Sequence, residues 1–246
     1  MKISKFAMTT LLCLSLTLAA CNITIGDTEF GVVRGTGDVV TEEREVSGIR
    51  KVVLSNQGDL EITVGDQESL VVEAQSDLLE YIETDVRGGT LEIGTRDGVN
   101  MMNTQPIRYL LTVKELEGLT VNSSGGIKAP ELQAKSFSVQ ISSSGPVVIE
   151  ALYADKLDVG ISSSGDVMIQ GGEVTNLDAN ISSSGNLEMQ DVPVQTAKVS
   201  ITSNGDARIN VSDELSGNIS SSGNIYVQGN PQVDVSTSSS GRVIQE

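Results

Sequence analysis

The sequence predicts an all-β protein built as a parallel β-helix, a stack of similar coils. A serine-serine-serine-glycine motif recurs with a nearly fixed period, since successive motif glycines are 20 residues apart in four steps and 18 apart in the last two. Apolar residues within a copy are two positions apart, as at Leu157, Val159 and Ile161, which is the period of a strand. A unit repeated at fixed spacing is typical of proteins in which each unit packs against its neighbours. The motif glycines are Gly125, Gly145, Gly165, Gly185, Gly205, Gly223 and Gly241.

Two architectures fit short strands at this spacing, a β-hairpin array and a parallel β-solenoid. In a hairpin array the chain reverses at each turn, so residues 20 positions apart need not be neighbours. In a solenoid each residue stacks on its counterpart in the next coil, at roughly 4.8 Å. Successive copies repeat the residue type at each position, as at Ile141, Ile161 and Ile201. The sequence therefore favours the solenoid, with coils of about 18–20 residues.

The half of the chain before residue 119 is less regular, but it contains related segments. Residues 58–62 and 89–93 each begin with glycine and a polar residue, and alternating apolar residues follow, as in the regular copies. We therefore predict a single β-helix domain over 30–246, with diverged coils over 30–118 and regular coils over 119–246.

Two stretches of this half are predicted to depart from the coil pattern. Residues 97–106 are mostly polar and predict a loop. Residues 76–81 predict a short helical turn with Ser76 as its N-cap, because a serine oxygen can accept a hydrogen bond from the free N–H groups at the start of a helix.

The first twenty residues have the features of a secretory signal. Lys2 and Lys5 precede a mostly apolar stretch that ends in small residues, which is typical of a signal and not of a spanning helix. Its end, Leu18-Ala19-Ala20-Cys21, is similar to the lipobox of bacterial lipoproteins, in which the cysteine is lipidated and becomes the first mature residue. The sequence thus predicts a lipoprotein signal peptide over 1–20.

Lipidation would fall on Cys21, and residues 21–29 would form a tether between the lipid and the folded domain. The residue after the cysteine is Asn22. In enterobacteria an aspartate at this position indicates retention at the inner membrane, so we predict that the protein is anchored in the outer membrane. The other cysteine, Cys13, lies within the signal, so the mature chain has no pair for a disulfide. An ordinary signal peptide with an incidental cysteine is the alternative.

Charge and composition narrow the functions that the chain can have. A net charge of −17 argues against binding to nucleic acid or to anionic lipid surfaces. The chain has no histidine, which is the commonest general base and the commonest metal ligand. We expect no cofactor, no metal and no catalytic residue, although an enzyme that uses carboxylates stays open. Aromatic residues make up only 3% of the chain, so aromatic platforms for sugars must be few.

The outward serines of the motif are the candidate contact residues. If the strand alternation continues through the motif, the first and third serines point outward, and the second serine and the glycine point inward. The outward residues would form two ranks along the stack that could hold a glycan or ordered water. Alternatively, small hydroxyl side chains only permit close stacking and bond to the backbone at a bend. The predicted contact array is Ser142, Ser144, Ser162, Ser164, Ser182, Ser184, Ser220 and Ser222.

The residue after the motif glycine alternates between acid and amide over four copies, at Asp166, Asn186, Asp206 and Asn224. Stacked in a solenoid, the two carboxylates would lie about 9–10 Å apart, which limits their repulsion. The same distance makes them a poor pair of metal ligands, since the ligands of a calcium ion must surround one ion. The repeat itself therefore supplies no cluster of acids for metal binding or for glycan cleavage.

Three features together resemble the bacterial family described as putative auto-transporter adhesin, head GIN domain. They are the lipobox, the early segment FGVVRGTGDVVTEEREVSGIRKVVLSNQGDLEITVG and the later Ser-Ser-Ser-Gly repeats. The resemblance covers about residues 30–244. It implies a right-handed parallel β-helix in an envelope protein, and it brings no catalytic residues to this chain.

From these features we predict a lipid-anchored protein of the bacterial cell envelope that is not an enzyme and acts as a surface or adhesin-like binding module. Its expected partners are the membrane, through Cys21, and glycans or envelope proteins. The last coil ends in Arg242-Val243-Ile244 without an obvious capping segment, which predicts self-association through that open coil. A carbohydrate-active β-helix enzyme and a purely structural envelope component are the alternatives.

Overall fold

The computed structural model describes residues 31–246. The predicted signal peptide over 1–20, the lipidation of Cys21 and the tether over 21–29 therefore lie outside the described residues. Within them, the chain forms strands and one short 3-10 helix, and the long strands pair in parallel with their counterparts one coil later. The predicted all-β fold and its parallel β-helix are confirmed. None of the described residues forms a helix with the length and apolarity that a membrane crossing needs.

The elements fall into an irregular first half and a regular second half. The first half contains β1 (Gly31–Arg34), β2 (Val39–Arg44), β3 (Lys51–Leu54), β4 (Asp59–Val64), β5 (Ser69–Gln75), the 3-10 helix (Leu79–Tyr81), β6 (Ile82–Arg87), β7 (Thr90–Thr95), β8 (Val99–Met102) and β9 (Arg108–Val113). The second half contains β10 (Gly118–Val121), β11 (Ile127–Ile141), β12 (Val147–Ile161), β13 (Val167–Ile169), β14 (Gly172–Ile181), β15 (Leu187–Ile201), β16 (Ala207–Ile219), β17 (Ile225–Gln228), β18 (Gln232–Thr237) and β19 (Val243–Gln245).

A regular coil has three sides, and the coil of residues 147–166 serves as the example. Bends lie at 150–151 and 155–156, where two successive residues are not buried, and at the serine motif. The inward residues stack on apolar counterparts in the next coil, except that Leu152 lies against Gly172, so the core is a nearly continuous column. The buried apolar side chains of this coil are Val147 and Ile149 on side one, Leu152 and Ala154 on side two, and Leu157, Val159 and Ile161 on side three.

The change of period from 20 to 18 residues has its cause on side two. Leu187 pairs with Ala207, and Ala197 pairs with Leu215, so ten residues of one coil lie against eight of the next. The register shifts twice between these pairs and then stays constant up to the pair of Ile201 and Ile219. Sides one and three and the motif bend therefore keep their stacking while side two is shortened.

The first half is not a simple continuation of the stack. β3 lies between β7 and β10, and β4 lies between β9 and β11, so the spatial order of these strands differs from their order in the chain. β2, β5 and β6 pair antiparallel with their neighbours, whereas β1 and β8 form a separate parallel pair. Antiparallel strands thus close the end of the stack to which the first half belongs.

The two segments that are related to the regular copies lie at different places in the coil. Residues 58–62 lie next to β11 and follow the motif bend, whereas β7, which contains most of 89–93, pairs with β3 on the side that precedes the motif. Two expectations for this half are corrected. The predicted loop over 97–106 contains β8, because β1 supplies it with a parallel partner. The helical turn is present as the 3-10 helix, but its N-cap is Leu78 without a side-chain hydrogen bond, and not Ser76.

Candidate functional site

The candidate site is the bend formed by the serine motifs, together with the outward residues of side three that lead into it. The eight serines of the predicted array are all exposed, and the second serine of each motif is half-buried or, in the last copy, exposed. The motif glycines are buried in every regular copy. The alternation of the strand therefore continues through the motif, and the outward hydroxyl groups form two ranks along the stack.

The motif requires glycine because successive coils touch at this position. A Cβ atom added to Gly185 would clash with the carbonyl oxygen of Gly165 and would lie 2.7 Å from the Ile161 Cγ2 atom. The same clash recurs along the stack down to Gly125, where the nearest atom is the carbonyl oxygen of Gly58 in the irregular half. Such contacts leave no room for any side chain, so the repeat of glycine follows from packing.

The serines are fixed by backbone hydrogen bonds between coils. The N–H of Gly185 donates to the carbonyl oxygen of Ser163 at 3.0 Å, and the N–H of Ser182 donates to that of Ile161 at 2.8 Å. Equivalent bonds recur in the other regular copies. The first serine of a motif also bonds through its side chain: the hydroxyl groups of Ser142, Ser162 and Ser182 donate to the Asn122 side-chain oxygen at 2.8 Å and to the carbonyl oxygens of Ile141 and Ile161 at 3.3 and 3.5 Å. These three hydroxyl groups keep their acceptor capacity for a ligand or for water, whereas the third serines, as at Ser144 and Ser164, make no such bond within the described residues and keep their donor as well.

A second ladder runs beside the glycines. The Asp166 carboxylate accepts hydrogen bonds from the backbone N–H of Asn186 at 2.8 Å and from its side-chain amide at 3.0 Å. The Asn186 side-chain oxygen accepts a hydrogen bond from the backbone N–H of Asp206 at 3.0 Å. The Asp206 carboxylate in turn accepts one from the backbone N–H of Asn224 at 2.7 Å. Alternation of acid and amide thus gives each carboxylate an amide donor in the next coil. The acids of this ladder have a structural role.

A shallow depression of about 220 Å³ lies beside the serine ranks. Gly160 has no side chain at its outward position between Gln140 and Asn180, which stack on either side of it, and the Gln140 side chain takes up part of that space. The Gln140 amide donates to the Asp158 carboxylate at 3.0 Å along the edge of the gap. Sequence reasoning missed these residues, although they continue the outward rank that contains Ser142 and Ser162, two positions before each serine.

The depression is lined by neutral hydrogen-bonding groups, with the Asp158 carboxylate at its edge. Within residues 31–246, no three carboxylate or thiol groups come close enough together to hold a metal ion. The carboxyl groups with lowered pKa lie elsewhere: hydrogen bonds from Thr36 lower the pKa of Asp77, and hydrogen bonds from Ser212 and Gln195 lower that of Asp213. The bend can therefore donate and accept hydrogen bonds at a fixed spacing along the stack.

Comparison with known proteins places this geometry among bacterial β-helices. The family described as "Putative auto-transporter adhesin, head GIN domain" matches residues 49–231. A solved structure described as a putative adhesin from Bacteroides fragilis is 18% identical, with a TM-score of 0.80 over 87% of this chain and 100% of that one. No curated protein matches the chain.

Two further solved structures, from the genus Parabacteroides, have the same fold. One, described as a putative lipid binding protein from P. distasonis, is 23% identical, with a TM-score of 0.72 over 88% of this chain and 100% of that one. The other, described as a putative adhesin from P. merdae, is 20% identical, with a TM-score of 0.66 over 87% of this chain and 99% of that one. At these identities the likeness shows the fold alone.

Proposed function

Since the chain belongs to the family described as putative auto-transporter adhesin, head GIN domain, we propose that it is a lipid-anchored protein of the bacterial cell envelope that presents a non-enzymatic contact surface. The observation that carries the proposal is the double rank of exposed serines at the motif bend, repeated coil after coil. Hydroxyl groups at a regular spacing suit a partner that itself carries many hydrogen-bonding groups, as a glycan or an envelope protein does.

Attachment through Cys21 to the outer membrane is part of the proposal. It is supported by the residues that precede the cysteine and by Asn22 after it. The test is incorporation of radiolabelled fatty acid into the chain in bacterial cells, with the Cys21→Ser variant as control. We expect the label to disappear in the variant. Label that persists without the cysteine would contradict the anchor and leave the contact surface untouched.

The contact surface is tested with a substitution inside the depression. Ser162→Arg places a long charged side chain over the gap at Gly160 and should abolish binding of the full chain to glycans or envelope fractions that bind the unaltered protein. The matched control is Ser69→Arg on β5, an exposed serine of the irregular half. Equal binding by the three proteins would contradict a contact role for the motif bend.

Self-association through the last coil stays a prediction. β18 and β19 pair with β16 and β17 on one edge, and no strand of the described chain pairs with their other edge. An unpaired edge offers backbone donors and acceptors to a second copy. We expect Ile244→Lys to lower the mass measured by light scattering, and an unchanged mass would count against such an interface.

A further inference from the structure

A cleft lies on side two, away from the motif bend. β4 and β11 pair only through Leu60 with Ile127 and Glu61 with Lys128. Beyond these pairs β11 bends onto side two, whereas β4 continues to Val64 in register with β9. The two strands separate, and a cleft of about 900 Å³ opens between them. This volume lies within the range of roughly 300–1,000 Å³ that is usual for ligand sites.

The cleft contains a tyrosine that is available to a ligand. Tyr153 is 43% exposed and lies between Gln133 and Glu173 of the neighbouring coils. The other three tyrosines are engaged: Tyr109 is buried, and the remaining two lie under arginines, at 5.1 Å for the ring of Tyr81 and 4.6 Å for that of Tyr226. An exposed aromatic ring offers an apolar face, and its hydroxyl group offers a hydrogen bond.

The polar lining of the cleft has unused hydrogen-bonding capacity. Lys114 and Lys135 lie along it, and in the part of the chain that the structure describes no lysine comes within 4.0 Å of a carboxylate. Glu131, Asp155 and Glu173 are likewise outside the ion pairs of the described residues. Positively charged hydrogen-bond donors and negatively charged hydrogen-bond acceptors therefore both lie beside the tyrosine ring.

The balance of charge restricts the ligand. Acids outnumber lysines in the lining, and the whole chain has a net charge of −17, so an anionic ligand would be repelled. An aliphatic ligand would leave the charged groups without hydrogen bonds. A neutral sugar fits both constraints, because it has an apolar ring face for the tyrosine and hydroxyl groups that donate to carboxylates and accept from lysines.

We propose that the cleft on side two binds a neutral oligosaccharide, with one sugar ring stacked on Tyr153 and its hydroxyl groups hydrogen-bonded to the flanking lysines and carboxylates. The site is separate from the motif bend and does not depend on a contact role for the serines. It places the recognition of sugar where the irregular half meets the regular one.

The proposal is tested by calorimetric titration of the full chain, purified in detergent micelles, with hexasaccharides of glucose, mannose and N-acetylglucosamine and with an oligogalacturonate of equal length. We expect at least one neutral sugar to bind and the anionic one not to bind. Tyr153→Ala should weaken binding roughly tenfold, as expected for the loss of an aromatic contact, whereas Tyr153→Phe should retain it within about twofold.

Matched variants locate the binding at this cleft. Tyr226→Ala removes a tyrosine from a different side and should leave the affinity unchanged, and Glu173→Ala should weaken binding without removing the ring. Ser162→Arg should not affect this titration, which keeps the site distinct from the motif bend. No binding of any neutral sugar, an unchanged affinity in Tyr153→Ala, or a preference for the oligogalacturonate would each overturn the proposal.

Discussion

From Gly118 onward, one coil is held to the next by the same contacts repeated, whereas the irregular half adds to its strand pairing side-chain contacts that each occur once. In the regular half the repeated contacts are the glycine stack, the backbone bonds of the motif and the ladder of acids and amides. In the irregular half, the buried side chain of Gln75 accepts hydrogen bonds from the N–H groups of Thr104 and Gln105 and donates to the carbonyl oxygen of Gly37. A repeat thus distributes stability over many equal positions, while a closing segment depends on a few individual residues.

The largest effect is expected from breaking the glycine stack. In Gly185→Ala the added Cβ would clash with the backbone of Gly165, which a rigid stack cannot relieve, so we expect a loss of roughly 3 kcal/mol in the free energy of unfolding. The measurement is urea unfolding followed by circular dichroism. Gly94→Ala, where nothing lies within 4 Å of the new atom, is the control and should be nearly neutral. Equal stability of the two variants would show that the stack is not tight.

The irregular half is tested at Gln75, whose hydrogen bonds are not repeated in other coils. Gln75→Ala removes the acceptor of the Thr104 and Gln105 N–H groups and leaves a gap where a buried side chain was, and we expect a loss of roughly 2 kcal/mol in the free energy of unfolding. Hydrogen exchange should rise in residues 35–37 and 104–105 and stay unchanged in β14 and β15. The exposed Gln232→Ala serves as the control. Faster exchange throughout the regular half would contradict the separation of the two halves.

A smaller effect is expected from the ladder of acids and amides. Asn186→Asp removes the amide donor to Asp166 and puts three carboxylates in successive coils, so we expect a loss of roughly 1 kcal/mol in stability. Added salt should restore part of this loss, because it screens the repulsion. Asp206→Asn, which keeps an oxygen for the N–H of Asn224, is the comparison and should cost less. A loss that does not respond to salt would point to packing as its cause.

The smallest effect concerns pH. The backbone N–H of Thr36, and after it the Thr36 hydroxyl, hold the pKa of Asp77 below its ordinary value of 3.8. Because the folded state binds this proton less readily than the unfolded state, the stabilisation is complete above pH 3.8 and is lost as the pH falls through the folded-state pKa. Asp77→Asn should therefore be less stable than the unaltered protein at pH 7, and the difference should shrink as the pH falls through the folded-state pKa of Asp77. If the free energies of unfolding of the two proteins still differ as much at low pH, the effect comes from the shape of the side chain and not from its charge.

The regular half could be predicted from the sequence because one physical rule governs it. Parallel stacking puts each residue against its counterpart, so the spacing of Ile141, Ile161 and Ile201 is enough to predict their neighbours. The inward direction of the motif glycine followed from alternation in the same way. The prediction of eight outward serines needed no further information.

The remainder could not be predicted, because it depends on contacts between residues that share no period. β7 joins the stack next to β3 although β4, β5 and β6 separate them in the chain. The strand β8 forms only because β1 pairs with it, and its sequence taken alone is that of a loop. The cleft on side two arises from the divergence of β4 and β11, which no local pattern records.

The shortening of side two also bears on how this protein could be altered by design. Two residues are absent from β16 relative to β15, yet the pairs on sides one and three continue in register. Side two is thus the part of the coil whose length can change while the glycine stack stays intact. A peptide epitope or a reactive residue grafted between Ser212 and Glu214, where three successive residues are exposed, would be displayed from the flank of the rod without disturbing its core.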